Sequence, residues 1–194
     1  MSTSNTSATG GYLLPAASIP LPQNLSLEDF LQTMIAGISG FPGDLVRPKW
    51  QINPPKQPDV TVNWIAFGLQ EDDSDTNAFT SANPDGSNIF MRMEALTLQC
   101  TFYGPDSLEV GKIVRDGLQI PQNLETLQLA KMSFVSTSKM VRAPDLINER
   151  WVDRWEMSIN LRREILRTYP ILTFLSASGT LYALQSNGVK GIVI

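Results

Sequence analysis

Two stretches of this chain alternate apolar and polar residues for longer than a helix or a loop accommodates. In Met91–Tyr103, Leu96, Leu98, Cys100 and Phe102 fall on one side, and Thr97, Gln99 and Thr101 on the other. From Arg150 to Ile165, Trp151, Trp155, Met157, Ile159, Leu161 and Ile165 oppose Arg154, Glu156, Asn160, Arg162 and Glu164. A period of two is the pleat of a strand with one packed face and one wet face, so both runs require a sheet that other elements cover. Val60–Leu69 reads as a buried strand around Trp64-Ile65-Ala66-Phe67. It joins Met91–Tyr103 as a long antiparallel hairpin. The tip is the polar excursion Glu71–Asn88, turning at Asn83-Pro84-Asp85-Gly86. Met132–Val141 is a further strand, and Ala143-Pro144-Asp145 turns the chain.

The covering elements are also readable. Ser26 can cap the amides of Leu27, Glu28 and Asp29, with the acidic pair well placed in a first turn. Phe30, Met34, Ile35 and Ile38 follow at helical spacing, and Gly40 with Pro42 stops the run. Asp106 caps a second helix with Leu108, Ile113 and Val114 facing inward and Gly117 at its end. A third, short helix runs from Gln122 to Ala130. Between the first helix and the first strand lies Phe41–Pro58, proline-rich and irregular, with Trp50 and Ile52 as anchors. The expected fold class is α+β: a mainly antiparallel β-sheet packed by two or three helices, with extended N- and C-terminal arms.

Charge is distributed unevenly along this plan. Residues 1–27 carry no charged side chain, and from Thr168 to Ile194 the only one is Lys190. Met1–Gly11 is a Ser/Thr/Asn/Gly tract that builds no core and is expected to be mobile in isolation. Tyr12, Leu13, Leu14, Ile19 and Leu21 follow, broken by Pro15, Pro20 and Pro22, which enforces an extended path. At the other end come Ile171, Leu172, Phe174, Tyr182 and Ile192, punctuated by Ser176–Gly179 and Ser186–Gly188 as for a hairpin. An uncharged arm with exposed apolar residues makes sense when it lies on a neighbouring surface. The organisation read from the chain is an arm at 1–25, a folded domain at 26–168 and a second apolar arm or hairpin at 169–194.

Composition excludes several chemistries. The 194 residues hold 15 Lys+Arg against 19 Asp+Glu, a net charge of −4, which argues against a protein that grips nucleic acid by neutralising phosphates. There is no histidine and a single cysteine, so Ser-His-Asp and Cys-His nucleophile systems and thiolate zinc clusters are excluded. The start lacks the basic and apolar regions of a secretion signal, and no apolar run approaches the ~20 residues of a membrane span. The expectation is a soluble protein that stays where it is made.

The remaining candidates have plain alternatives. Glu71, Asp72, Asp73 and Asp75 miss the spacing and central glycine of an EF-hand and read as a solvated loop. Glu149, Asp153 and Glu156 are the carboxylates on which a glycosidase-like mechanism would draw. Asp153 falls on the face of Trp151 and Trp155, where an arginine partner is the simpler expectation. Arg162, Arg163 and Arg167 suit intersubunit or cross-strand ion pairs better than a phosphate site. Trp50, Trp64, Trp151 and Trp155 are expected in the core, and Cys100 as an inert buried thiol.

Several segments together resemble a known family. They are Gly40-Phe-Pro-Gly-Asp-Leu-Val-Arg-Pro-Lys-Trp50, Asn63-Trp-Ile-Ala-Phe-Gly68, Glu94-Ala-Leu-Thr-Leu-Gln-Cys-Thr-Phe-Tyr-Gly-Pro105, Arg115-Asp-Gly-Leu-Gln-Ile-Pro-Gln-Asn123, Ala143-Pro-Asp-Leu-Ile-Asn-Glu-Arg-Trp151 and Arg167-Thr-Tyr-Pro-Ile-Leu172. Over residues 28–178 the chain resembles the neck terminator proteins of contractile-tailed bacteriophages. The resemblance implies a structural virion protein at the top of the tail, assembled in the host cytoplasm. It implies a homo-oligomeric ring, hexameric to match the tail, that ends the tail tube and joins it to the head connector. Its partners would be the tail tube protein, the tail sheath, and the head–tail adaptor or collar proteins. Genome DNA would pass the lumen unbound, with no membrane involved. No catalytic, cofactor-binding or metal-binding residue is implied. Composition marks Tyr12, Leu13, Leu14, Ile171, Leu172, Phe174, Tyr182, Ile192, Arg162, Arg163 and Arg167 as subunit-interface candidates. The alternative is a small carboxylate-based hydrolase or a soluble binding module.

Overall fold

The computed structural model describes residues 12–19, 25–147, 149–171, 180–185 and 188–193. In chain order these form β1 (Ala17–Ile19), α1 (Leu25–Ser39), a 3-10 turn (Gly43–Leu45), β2 (Val46–Pro48), β3 (Trp64–Ser74), β4 (Phe79–Ala82) and β5 (Asn88–Tyr103). There follow α2 (Ser107–Gly117), α3 (Pro121–Leu129), β6 (Met132–Thr137), β7 (Val141–Arg142), β8 (Asp145–Ile147), β9 (Arg150–Val152), β10 (Arg154–Tyr169), β11 (Thr180–Gln185) and β12 (Gly188–Val193). The class is α+β, with a mostly antiparallel sheet, as expected.

The sheet is built on one pairing. β5 and β10, each 16 residues long, lie antiparallel in unbroken register from Tyr103↔Arg154 to Asn88↔Tyr169. β3 flanks β5 along Glu94–Tyr103 and β4 flanks it along Asn88–Met91. On the other side, β10 is flanked by β7, β6 and β1. β2 adds a short parallel edge to β3. The register stacks Trp155, Phe102 and Ile65; then Met157, Cys100 and Phe67; then Ile159, Leu98 and Leu69 in successive rows.

The helices close that face. Leu27, Leu31, Met34 and Ile35 of α1, Val110 and Val114 of α2, Leu118 after it and Leu127 of α3 form one core with those rows, Leu69 packing against it and Trp155 standing outside it. Each such side chain contributes roughly 1.5–3 kcal/mol on burial, so the sheet and helices are stable only together. The opposite face carries a polar ladder in which Thr97 donates to Asn160, and Asn160 to Ser136, each at 3.0 Å.

Several local expectations are corrected. α1 begins at Leu25, so Ser26 stands inside its first turn rather than at the cap. Gly40 does end it, at φ 74°. Asp106 precedes α2 but makes no cap bond; its carboxylate accepts from Asn63 Nδ2 at 2.9 Å instead. Val110 replaces Ile113 on the inward face, and Ile113 is 45% exposed. The strand expected from Val60 starts at Trp64 and runs on to Ser74, so Glu71–Ser74 belongs to a strand with a bulge between Glu71 and Asp73, not to a loop. The turn at Asn83–Gly86 is present, with Gly86 at φ 83°. Met132–Val141 is split into β6 and β7, and the expected turn at Ala143–Asp145 leads into the small β8–β9 hairpin. The long strand expected from Arg150 breaks at Asp153, between β9 and β10.

That break reverses the side-chain phase. Trp151 is 72% exposed and Val152 is buried. Trp50 is also exposed, while Trp64 and Trp155 are half-buried, so none of the four tryptophans is in the core. Ile52, expected as an anchor, is 97% exposed. The C-terminal hairpin is present as β11–β12, pairing Thr180–Gln185 with Val193–Gly188.

Candidate functional site

The two ends of the β5–β10 pair differ in chemistry. At the end where β3 and β10 begin, Trp64 and Tyr103 stack with ring centroids 4.3 Å apart. The Arg47 guanidinium lies 5.8 Å from the Trp64 ring centre. These rings, with Pro58, Val60, Val62, Gly104 and Val152, line a cleft of about 320 Å³. Trp50 lies over Gly68, where a Cβ would come within 2.6 Å of the indole. Burial raises the Tyr103 hydroxyl above its ordinary range, and burial lowers the Lys49 ammonium.

The opposite end of the pair carries the arm. β1 pairs Ala17, Ser18 and Ile19 with Thr168, Arg167 and Leu166 of β10, and the Ala16 amide donates to the Thr168 carbonyl at 2.7 Å. Beside it, Phe90 and Tyr169 meet edge to face at 6.0 Å, with the Arg92 guanidinium 5.4 Å from the Phe90 ring centre. Tyr12 is 96% and Leu14 76% exposed, while Leu13 is half-buried. Phe79 of β4 is exposed nearby in register, its strand pairing with Asn88–Met91.

The sequence-marked interface residues divide accordingly. The pairing of β1 with β10 brings Tyr12, Leu13, Leu14, Arg167 and Ile171 to one end of the sheet. Ile171 is partly exposed and Arg167 half-buried. Arg162 is exposed on the polar face. Arg163 takes the cross-strand option of its expected ion pairing and is corrected only as an interface candidate: it stands with Leu161 and Ile165 on the packed face, 1% exposed, and donates to Glu94 at 2.6 Å. It is a cross-strand ion pair with no surface to offer a neighbour. Tyr182 lies opposite Gly191, and Ile192 opposite Leu181, in the C-terminal hairpin. Leu172 and Phe174 lie outside the described residues.

The carboxylates are placed as structural groups. Asp153 accepts from Arg142 at 2.6 Å, the arginine partner expected of it. Arg154 bridges Asp145 and Glu156, the latter at 3.1 Å. Glu149 is exposed at φ 63° in the tight β8–β9 turn. Among the described residues no three Asp, Glu or Cys converge as a metal site. Cys100 is buried in the core, and burial pushes its thiol up to about 12. Asp75 pairs its carboxylate with the Met93 amide.

Sequence reasoning missed the exposed apolar residues of the body: Trp50, Ile52, Phe79, Leu129, Leu146 and Trp151. The signal available for Trp50 and Ile52 was their position among prolines, where regular burial is hard to achieve. For Trp151 it was Asp153, whose charge within an apolar alternation marks the break.

The comparison with known families decides the kinship. The family described as phage neck terminator protein matches residues 25–184. The chain belongs to the phage neck terminator protein family. The match begins at the first residue of α1 and takes in every strand of the β5–β10 sheet except β1. No curated protein matches the sequence. Phage neck terminators are a structural family, so the chain is a structural component of the virion neck, and its relevant surfaces are those that meet other phage proteins.

Proposed function

We propose that the protein forms a homo-oligomeric ring, hexameric to match the tail. In this reading the ring ends the tail tube and joins it to the head connector, leaving a channel through which DNA passes. Residues 26–168 form the body of the ring, and 1–25 and 169–194 are arms that contact sister copies. The observation that carries this reading, beyond the family, is the arm: Tyr12 is almost fully and Leu14 largely exposed in the single chain although their neighbourhood has no charge to keep it in water. A heterologous contact, in which each copy lays a segment on the next, closes into a ring when the rotation permits.

Other features agree with it. A net charge of −4 per chain gives an acidic ring that repels phosphates, so the genome moves through without being held. The partners in this reading are the tube protein, with the sheath and the adaptor or collar proteins on either side, in a neck assembled in the host cytoplasm.

The test is capping. Purified protein is added to purified tail tubes, and their ends are imaged. A ring seated at one end of each tube is the expected result. Tubes left bare at saturating protein contradict the role.

A further inference from the structure

The outer edge of β10 is covered in three pieces. β7 lies opposite Trp155–Glu156, β6 opposite Ile159–Arg163, and β1 opposite Leu166–Thr168. The first two come from the segment that runs directly into β10. The third comes from the far end of the chain, beyond the folded core.

What the described residues show holding β1 is backbone. Ala16, Ala17 and Ser18 are exposed, and so are Tyr12 and Leu14. A three-residue ladder gains little against the entropy of ordering its own residues, so in one chain this strand opens easily. Yet an open edge at Leu166–Thr168 is a template for another strand. Between β1 and α1 the sequence is Pro20-Leu21-Pro22-Gln23-Asn24. Two prolines in five residues favour an extended path, and six links from Ile19 to Leu25 reach roughly 20 Å at about 3.3–3.6 Å each. Every copy offers the same acceptor edge, so passing β1 to a neighbour forfeits no hydrogen bond and turns a weak internal contact into a joint between subunits.

We propose that in the assembled ring β1 pairs with Leu166–Thr168 of the next copy, a strand exchange repeated around the ring. The inference rests on the ring reading above and adds the identity of the joint. Ser18 stands directly opposite Arg167, which gives a covalent test.

The Ser18→Cys/Arg167→Cys double variant is assembled under reducing conditions, oxidised, and run denatured without reductant. In parallel, separately tagged Ser18→Cys and Arg167→Cys chains are co-assembled and treated alike, with the unaltered chain as control for Cys100. Exchange predicts a ladder of linked chains from the double variant and a linked heterodimer from the two singles. Rings whose double variant runs at monomer mass, with the singles unlinked, overturn the exchange and leave the ring reading standing. If the unaltered chain forms no ring, the parent reading falls and the exchange with it.

Discussion

Arg163 of β10 donates a 2.6 Å hydrogen bond to Glu94, its direct partner on β5, and both side chains are buried. The pair ends the apolar rows of the packed face, next to the row where Ile165 opposes Arg92. Among the described residues the Arg163 guanidinium Nε and Nη1 have no hydrogen-bond partner, so desolvation is only partly offset. Removing one member leaves the other charged and unpaired. Arg163→Met or Glu94→Leu alone is expected to cost about 3–5 kcal/mol, while the double replacement recovers most of that loss. Urea unfolding of the three variants measures it. Single variants within about 1 kcal/mol of the parent would contradict a buried pair.

Cys100 is expected to be silent towards a thiol reagent in the folded protein at pH 8 and to react fully in denaturant. Its thiol is held at about 12 against an ordinary 9.0. Between those values the unfolded chain has released the proton and the folded one has not, so stability falls as pH rises. Tyr103, also raised by burial, acts in the same direction, whereas Lys49, lowered by burial, opposes both. Cys100→Ala should flatten the decline in the urea midpoint above pH 9. An unchanged slope would mean the thiol is not the group responsible.

Gly104 joins β5 to α2 at φ 108°, and a Cβ there would fall 2.7 Å from the Val62 carbonyl oxygen. Gly104→Ala is therefore expected to lower stability by more than about 1 kcal/mol. At Gly68 the obstacle is the indole of Trp50, a side chain that can move. Gly68→Ala should perturb tryptophan fluorescence more than thermal stability. The opposite ranking of the two melting temperatures would contradict these placements.

Deleting residues 1–23 removes β1 while leaving α1 and the core intact. Circular dichroism should report the same fold, and the assembled fraction at a given concentration should drop. Unchanged assembly would show that the arm makes no joint.

The sheet was legible because alternation survives in single residues: Leu96 to Phe102 and Met157 to Leu161 are buried as their spacing requires. Helix positions were legible for the same reason, from Met34, Ile35 and the stop at Gly40. What periodicity does not carry is where a strand breaks and what lies opposite it. Asp153 interrupts the run and turns Trp151 outward, and Arg163 sits on the apolar face because Glu94 stands across from it in the register. Glu94 and Arg163 are distant in sequence, so no local pattern announces the pair. Composition alone marked the interface candidates: Tyr12 and Leu14 among them are exposed in the single chain, whereas Arg163 is buried.

The mass of the purified 21.4 kDa chain in solution, followed from dilute to concentrated protein, tests the central claim most directly. A ring subunit predicts a single closed multiple of the chain mass, six under the proposed symmetry, visible as rings by electron microscopy. A species that stays at one chain across that range, and remains so in the presence of tail tubes, would contradict it.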